Sequence, residues 1–164
     1  MNGRDDHGCF GCGRLNPHGL RLAFYRTPDE ERIWASFTPA TVHEGFAGVT
    51  HGGIVTAVLD EAMGWVIVDR GIWAVTGKLA ISFRRPVEAG VATRVSAWVV
   101  AARGRGVQAA GELRRDDDDT LLAEGTATFI RVPEETARAW QARYVGGRSD
   151  DERWGDVSTA LPRG

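Results

Sequence analysis

The longest apolar stretch of the chain runs from Gly52 to Val68 and is interrupted near its middle by two adjacent acids, Asp60 and Glu61. It follows a Gly-rich segment, and we predict a helix from about Gly53 to Asp69. After this helix the pattern changes to an alternation of apolar and polar residues, which is typical of strands. Four strands are predicted within residues 73–86, 91–104, 106–115 and 121–132.

Shorter elements are predicted on both sides of this central region. Two strands are expected over residues 20–27 and 32–39, on either side of a turn at residues 28–30. A second helix is expected over residues 133–144, because Pro133 occupies a position that favours helix initiation.

The chain divides into three predicted parts. Residues 1–19 form an N-terminal loop segment rich in Gly and containing both cysteines, and residues 20–144 form one domain. Residues 145–164 lack periodicity and are expected to be a flexible C-terminal tail.

One long apolar helix and about six strands, four of them consecutive, indicate an α+β fold. Strands joined by short turns pair antiparallel. A helix that is apolar on all sides needs burial on all sides. A curved antiparallel sheet wrapped around one long central helix meets both requirements, and this arrangement is the hotdog fold.

Length, net charge and composition argue against some classes of binding partner. The length of 164 residues fits one domain with a core of useful size. A net charge of −2 with scattered arginines argues against an extended nucleic-acid surface. Because the first residues are polar, we expect no secretory signal, and the apolar segment is short for a membrane span. We therefore expect a cytoplasmic protein with neither a nucleic acid nor a membrane as partner.

The only cysteines, Cys9 and Cys12, form a Cys-x-x-Cys motif with His7 and His18 nearby. A tetrahedral zinc site needs four ligands, and this spacing is untypical of one. A redox pair is expected where a strand leads into a helix, whereas this motif lies in a Gly-rich loop. We therefore expect a local packing feature without a bound metal or other cofactor, and a zinc site stays open as the alternative.

The two acids of the helix are candidate functional groups. Helical geometry places Asp60 on the same side as Thr56 and Gly64, whose small side chains leave space, and turns Glu61 about 100° away, toward Trp65. A buried carboxylate is costly unless it is paired, and the helix contains no basic residue. This favours a raised pKa and a role as base or nucleophile. The alternative, that one or both acids point to solvent, is left open by the pattern.

The start of the helix, His51-Gly52-Gly53, is a candidate oxyanion site. Backbone N–H groups in a first helical turn have no partner within the helix, and glycine allows a carbonyl to approach closely. The helix dipole also favours developing negative charge there. Because Asp60 follows His51 by nine residues, about 13 Å along the axis, we expect a site shared between two chains. Alternatively, the glycines only form a tight turn.

The segment "HGGIVTAVLDEAMG" resembles the signature of the PaaI-like acyl-CoA thioesterases of the hotdog superfamily. The segments "CFGCGRLNPHGLRLAFY" and "HEGFAGVTHGG" are similar to the THEM4-like branch, and the similarity extends over about residues 9–132. The resemblance implies hydrolysis of an acyl-CoA thioester to a free acid and CoA. It also implies a homodimer or a dimer of dimers (a homotetramer).

The resemblance further assigns roles by position. Asp60 matches the catalytic carboxylate, which acts as general base or nucleophile, and Gly52 matches the glycine whose N–H polarises the thioester carbonyl. His51 shapes that end of the pocket, and Thr76 orients the attacking water or the acid. The substrate- or CoA-binding candidates are Gly53, Glu61, Trp65, Arg84 and Arg85.

Four positions limit the transfer of these roles to this chain. Alternation puts Thr76 on the less apolar face of its strand, so an irregularity at the strand start is needed to turn it inward. Arg84 and Arg85 are alternatively plain surface charge. Many relatives carry Asn where this chain has Gly45, and His43 is a candidate substitute.

Two other functions fit the predicted fold. One is a non-catalytic hotdog protein that binds acyl-CoA or lipid. The other is a hotdog dehydratase or hydratase, whose relatives usually carry a His five residues after the Asp. No His follows Asp60 within the helix, so we rank this function last.

Overall fold

The computed structural model describes residues 6–26 and 30–144. Helix α1 spans Gly52–Asp69 and helix α2 spans Glu134–Tyr144, and a single 3-10 turn covers Thr41–His43. The strands are β1 (Tyr25–Arg26), β2 (Arg32–Phe37), β3 (Glu44–Phe46), β4 (Val49–Thr50), β5 (Ala74–Phe83), β6 (Thr93–Arg103), β7 (Gly106–Arg115) and β8 (Leu121–Arg131). The predicted long helix and the four consecutive strands after it are confirmed.

Six strands form one antiparallel sheet in the order β1-β2-β6-β7-β8-β5, and β3 pairs with β4 in a separate hairpin. Short turns connect β6 to β7 and β7 to β8, which is why these neighbours in sequence are also neighbours in the sheet. Strand β5 lies at one edge of the sheet. The predicted combination of an antiparallel sheet and one long helix packed against it is confirmed.

Helix α1 holds the core together. It buries residues along its whole length, and they pack against apolar residues of the sheet such as Ile33, Val95 and Leu113. Burying a side chain of this size stabilises the fold by about 1.5–3 kcal/mol, so the helix is held in a fixed orientation. The buried helix residues are Val55, Val58, Leu59, Ala62, Met63, Trp65, Val66 and Ile67.

The predicted strand over residues 20–27 is wrong for most of its described part, since only Tyr25–Arg26 is a strand. The N–H groups of Leu20 and Leu22 instead donate, at 2.8 and 2.9 Å, to carbonyls of residues 7–15, which we call the cysteine loop. Arg21 has a φ of 55°, a left-handed conformation that interrupts an extended strand. The segment therefore packs on the cysteine loop and not along β2.

The Gly-rich segment before α1 contains the 3-10 turn and the hairpin β3–β4. Neither element was predicted from the sequence. The predicted tail, residues 145–164, lies outside the described residues, and the three-part division of the chain stays a prediction. Within residues 6–26 and 30–144, no helix is long and apolar enough to cross a membrane.

Candidate active site

Asp60 and Thr76 form the first part of the site. The Thr76 hydroxyl on β5 donates a hydrogen bond of 2.8 Å to Oδ1 of Asp60 on α1. The pairing of β5 with β8 shifts register between Thr76 and Lys78, so Gly77 is an extra residue in β5. This β-bulge is the irregularity that the alternation pattern required. The bulge turns the Thr76 side chain toward α1, although the alternation of residues along β5 predicts that this side chain lies on the other face of the sheet.

The Asp60 carboxyl is half-buried on α1. Burial raises the pKa of Asp60 above its usual value, because removal from water disfavours the charged form, and the Thr76 hydrogen bond partly opposes this by stabilising the anion. The acid is therefore both oriented and made more basic, as a general base requires.

Glu61 occupies a different environment under the cysteine loop. Its carboxylate accepts a hydrogen bond of 3.0 Å from the Trp65 indole N–H and lies 3.6 Å from Cys9 Sγ. Burial, followed by the nearby Cys9 sulfur, raises the pKa of Glu61 to about 7. Asp60 and Glu61 line the same cavity of about 340 Å³, together with Trp65 and Thr76.

The start of α1 forms the second part of the site. His51 is the N-cap residue, and its Nδ1 accepts a hydrogen bond of 2.9 Å from the Gly53 N–H. Gly52 is the first helical residue, so its own N–H has no acceptor within the helix. His51 and Gly52 line a second cleft, of about 570 Å³, that also borders Arg84 and Arg85.

The two arginines differ in their surroundings. Arg84 forms an ion pair with Glu124 on β8, with Nε 2.9 Å from Oε1. Arg85 is exposed at the same cleft, and within the described part of the chain it has no carboxylate in ion-pair range. Arg85 is thus the freer of the two cations for an anionic ligand.

The predicted residues fall into two groups within one chain. Asp60, Thr76, Glu61 and Trp65 border the first cavity, whereas His51, Gly52 and both arginines border the second cleft. Asp60 follows Gly52 by eight positions in the helix, which corresponds to about 12 Å along the helix axis. One chain alone therefore does not bring the amide and the carboxylate to one reacting bond.

Gly45 and His43 occupy positions near the helix start. A Cβ on Gly45 would lie only 3.0–3.1 Å from atoms of His51, so the close contact explains why a small residue stands here. His43 Nδ1 accepts the Ala40 N–H at 3.0 Å, and its ring packs beside Phe37. The His43 side chain is therefore engaged within its own turn.

The cysteine loop and α2 also shape the cavity beside Asp60, which was not predicted from the sequence. Cys9 and Cys12 lie beside the Glu61 carboxylate, and Trp73 packs against Trp140 of α2 with ring centroids 6.3 Å apart. The signal available was the Cys-x-x-Cys motif itself, but its contact with α1 joins residues 52 positions apart. The other cavity residues are Gly64, Val68, Ala74, Val75, Phe129 and Tyr144, together with His7.

Sequence comparisons connect the chain to known proteins. The sequence profile of the thioesterase superfamily matches residues 47–122. The acyl-coenzyme A thioesterase THEM4 of Xenopus laevis is 28% identical over 114 residues, which cover 70% of this chain and 51% of that protein. The THEM4 protein of Mus musculus is 26% identical over 117 residues, covering 71% of this chain and 50% of that protein. The chain thus spans about half the length of the curated relatives it matches.

Solved structures share the fold. The E. coli PaaI protein, from a phenylacetic acid degradation operon, superposes with a TM-score of 0.64 at 20% identity, covering 70% of this chain and 81% of that one. A hypothetical thioesterase of Streptococcus pneumoniae, solved with coenzyme A, gives 0.62 at 14% identity, covering 68% and 85%. Structures of two variants of that protein have also been solved. One replaces an aspartate by alanine, and the other replaces a threonine 16 residues later by alanine.

These matches confirm the predicted hotdog fold and the predicted relationship to PaaI-like and THEM4-like proteins. The chain therefore has the hotdog fold, matches the thioesterase superfamily over residues 47–122, and is similar in sequence to the THEM4-type acyl-coenzyme A thioesterases.

Proposed function

We propose that this protein hydrolyses an acyl-CoA thioester to a free acid and CoA in a site shared by two copies of the chain. The observation that carries this proposal is the hydrogen bond between Thr76 and Asp60, which presents a half-buried, oriented carboxylate beside a cavity. Asp60 and Thr76 are separated by 16 residues, as are the aspartate and threonine replaced in the streptococcal thioesterase.

The chemistry follows from these groups. Asp60 removes a proton from water, and the water oxygen attacks the thioester carbonyl carbon. The N–H of Gly52 in a second copy donates to the resulting oxyanion, at a helix N-terminus where negative charge is favoured. The C–S bond then breaks, and the CoA sulfur takes the proton held by Asp60. In the alternative, Asp60 attacks the carbonyl carbon directly, the C–S bond breaks and the CoA thiolate leaves; water then hydrolyses the resulting anhydride to the free acid and the Asp60 carboxylate.

A second copy fits the exposed edge of the sheet. Strand β5 is ten residues long and has no neighbour on its outer side within the described part of the chain. Large apolar side chains on it are exposed, Val75 at 47% and Phe83 at 54%. A long exposed edge of this kind pairs readily with another strand, and Thr76 lies on it. We therefore propose a homodimer formed edge to edge through β5, alone or within a dimer of dimers.

The two cavities accommodate different parts of the substrate in this proposal. The cleft at His51 and Gly52, with Arg85 at its border, receives the anionic CoA portion of the substrate. The cavity beside Asp60 receives the acyl group, because Trp65, Trp73 and other apolar residues line it.

The proposed function is tested by assaying the purified protein against acyl-CoAs of increasing chain length, with phenylacetyl-CoA and benzoyl-CoA included. Release of free thiol, with a preference among the acyl groups, is the expected result. Saturable binding of CoA esters without release of thiol from any of them would instead identify a non-catalytic acyl-CoA-binding protein.

Thr76→Val tests the orienting hydrogen bond. Loss of one hydrogen bond to a charged group costs about 1.5–3 kcal/mol, so we expect kcat to fall about ten- to hundredfold. Thr76→Ser keeps the hydroxyl and is expected to retain most of the activity. Equal kcat values in the Val and Ser variants, measured by steady-state kinetics, would exclude this role for the hydroxyl.

Arg85→Ala tests recognition of the CoA phosphates. We expect KM for an acyl-CoA to rise about three- to tenfold at low salt, because a solvent-exposed charge contributes little more than about 1 kcal/mol. The increase should shrink at high ionic strength, which screens exposed charges. Arg84→Ala, whose cation is already paired with Glu124, is the matched comparison and should have a smaller effect. An equal KM increase for an acyl-pantetheine lacking the phosphates would rule out phosphate recognition.

A further inference from the structure

Three side chains with metal-binding atoms meet beneath α1. Cys9 Sγ, Cys12 Sγ and a carboxylate oxygen of Glu61 all lie within 4.8 Å of one another. Cys9 Sγ is 3.6 and 3.8 Å from the two Glu61 oxygens. Ligand atoms around a tetrahedral zinc ion, with bonds of about 2.0–2.3 Å, stand roughly 3.5 Å apart. The three groups are therefore already close to the spacing that one such ion requires.

The cysteine loop is folded to bring its sulfur atoms together. The Gly13 N–H donates to the Cys9 carbonyl at 3.0 Å, which closes a turn over residues 9–13. This turn holds both sulfur atoms within 4.8 Å of a Glu61 carboxylate oxygen.

Glycine is required where this loop closes on the carboxylate. A Cβ on Gly11 would lie 2.3 Å from Glu61 Cδ, and a Cβ on Gly13 would lie 2.5 Å from the Cys9 nitrogen. Any larger residue at position 11 would push the loop away from the Glu61 carboxyl group. The sequence Cys-Phe-Gly-Cys-Gly is therefore fitted to hold both sulfur atoms against this one acid.

The surroundings suit a cation and offer a further ligand. Within the described residues, no Arg, Lys or His forms an ion pair with Glu61. His7 lines the same cavity, its side chain is only 3% exposed, and its Nε2 has no hydrogen-bond partner in the described part of the chain. A buried polar atom without a partner is uncommon and indicates an available ligand.

We propose that Cys9, Cys12 and Glu61 bind one Zn²⁺ ion. The His7 ring nitrogens lie outside the 4.8 Å cluster of these three ligands, so His7 fills the fourth position only after its ring moves closer. Two thiolates, one carboxylate and one imidazole are a ligand set that zinc accepts, and thiolates favour it over magnesium or calcium. The ion joins the cysteine loop to α1 directly beside Asp60 and so fixes one wall of the cavity. The spacing of the Cys and His residues alone predicted no metal site. The third ligand, Glu61, comes from a distant part of the chain and was not part of that prediction.

Metal content tests this proposal independently of any enzymatic activity. The full chain is produced with added zinc, purified under reducing conditions without chelator, and analysed by plasma mass spectrometry, with one zinc per chain as the expected result. Metal-free protein titrated with Co²⁺ should then show sulfur-to-cobalt charge-transfer absorption and the visible bands of tetrahedral cobalt. Zinc should displace the cobalt and raise Tm by mass action.

Variants locate the ion. Each ligand is replaced in turn, in the variants Cys9→Ser, Cys12→Ser and Glu61→Gln. Zinc affinity should fall by more than about 100-fold in each variant, because loss of a direct ligand costs more affinity than loss of a hydrogen bond to a ligand. Glu135→Gln, on the exposed face of α2, is the matched control and should bind zinc normally.

Two outcomes overturn the proposal. One is reduced wild-type protein that binds no zinc and gives a cobalt complex without thiolate absorption, a result that needs no variant to fold. The other is full zinc occupancy in a folded Cys9→Ser/Cys12→Ser double variant.

Discussion

Asp60→Asn is expected to lower kcat for acyl-CoA hydrolysis by about 10²- to 10⁴-fold, the usual contribution of a general acid–base group. The Asn amide keeps the size of the side chain, and its oxygen can still accept the Thr76 hydrogen bond, but it cannot take a proton from water. Steady-state kinetics with the best substrate of the acyl-CoA panel measures the effect.

The stability of the same variant separates catalysis from folding. Burial raises the pKa of Asp60, so the native state favours the neutral form, and at neutral pH the ionised carboxylate destabilises the fold. A neutral Asn relieves this cost, and Tm should therefore be unchanged or higher. Asp117→Asn, at the exposed β7–β8 turn, is the matched control with normal activity. Full activity in a folded Asp60→Asn protein would refute the proposed mechanism.

Gly52→Pro is expected to lower kcat by about 10²- to 10³-fold, the effect of removing one oxyanion donor. Proline removes the backbone N–H and suits the first position of a helix, where that N–H has no partner within the helix. The preceding His51 has φ −60° and ψ 134°, a conformation compatible with a following proline. The substitution therefore deletes one donor while the helix is retained.

The matched control is Gly52→Ala, which keeps the N–H. A Cβ at this position meets only the Phe83 ring, at 3.4 Å or more, so the fold tolerates it. Circular dichroism and Tm should show that both variants are folded, and only the proline variant should lose most of its kcat. Similar losses in the alanine and proline variants would argue that the effect is steric and that the Gly52 N–H is not the donor.

Most of the fold was predictable because its signals are local. The long apolar stretch predicted the start of α1 to within one residue, and the alternation of apolar and polar residues predicted the four strands after it. The segment before β2 was mispredicted because its alternation of apolar residues resembles a strand. Its backbone hydrogen bonds instead go to the cysteine loop, a tertiary contact that overrides local propensity.

The candidate site was predictable in its residues but not in its contacts. Alternation alone showed that Thr76 needed a strand irregularity, and the bulge at Gly77 supplies it. The environment of Glu61 was hidden, because the Cys9 side chain that contacts it lies 52 residues earlier in the chain. No periodicity links positions so far apart, and a pairing of this kind is visible only in the folded protein.

A mixing experiment tests the shared site most directly. Asp60→Asn and Gly52→Pro chains, each nearly inactive alone, are unfolded together, refolded at equal amounts and assayed for acyl-CoA hydrolysis. A heterodimer then contains one site with both Asp60 and Gly52 intact, so random pairing should restore roughly a quarter of the wild-type activity. Activity that stays at the level of the separate variants, in a mixture shown by mass spectrometry to contain heterodimers, would contradict the account.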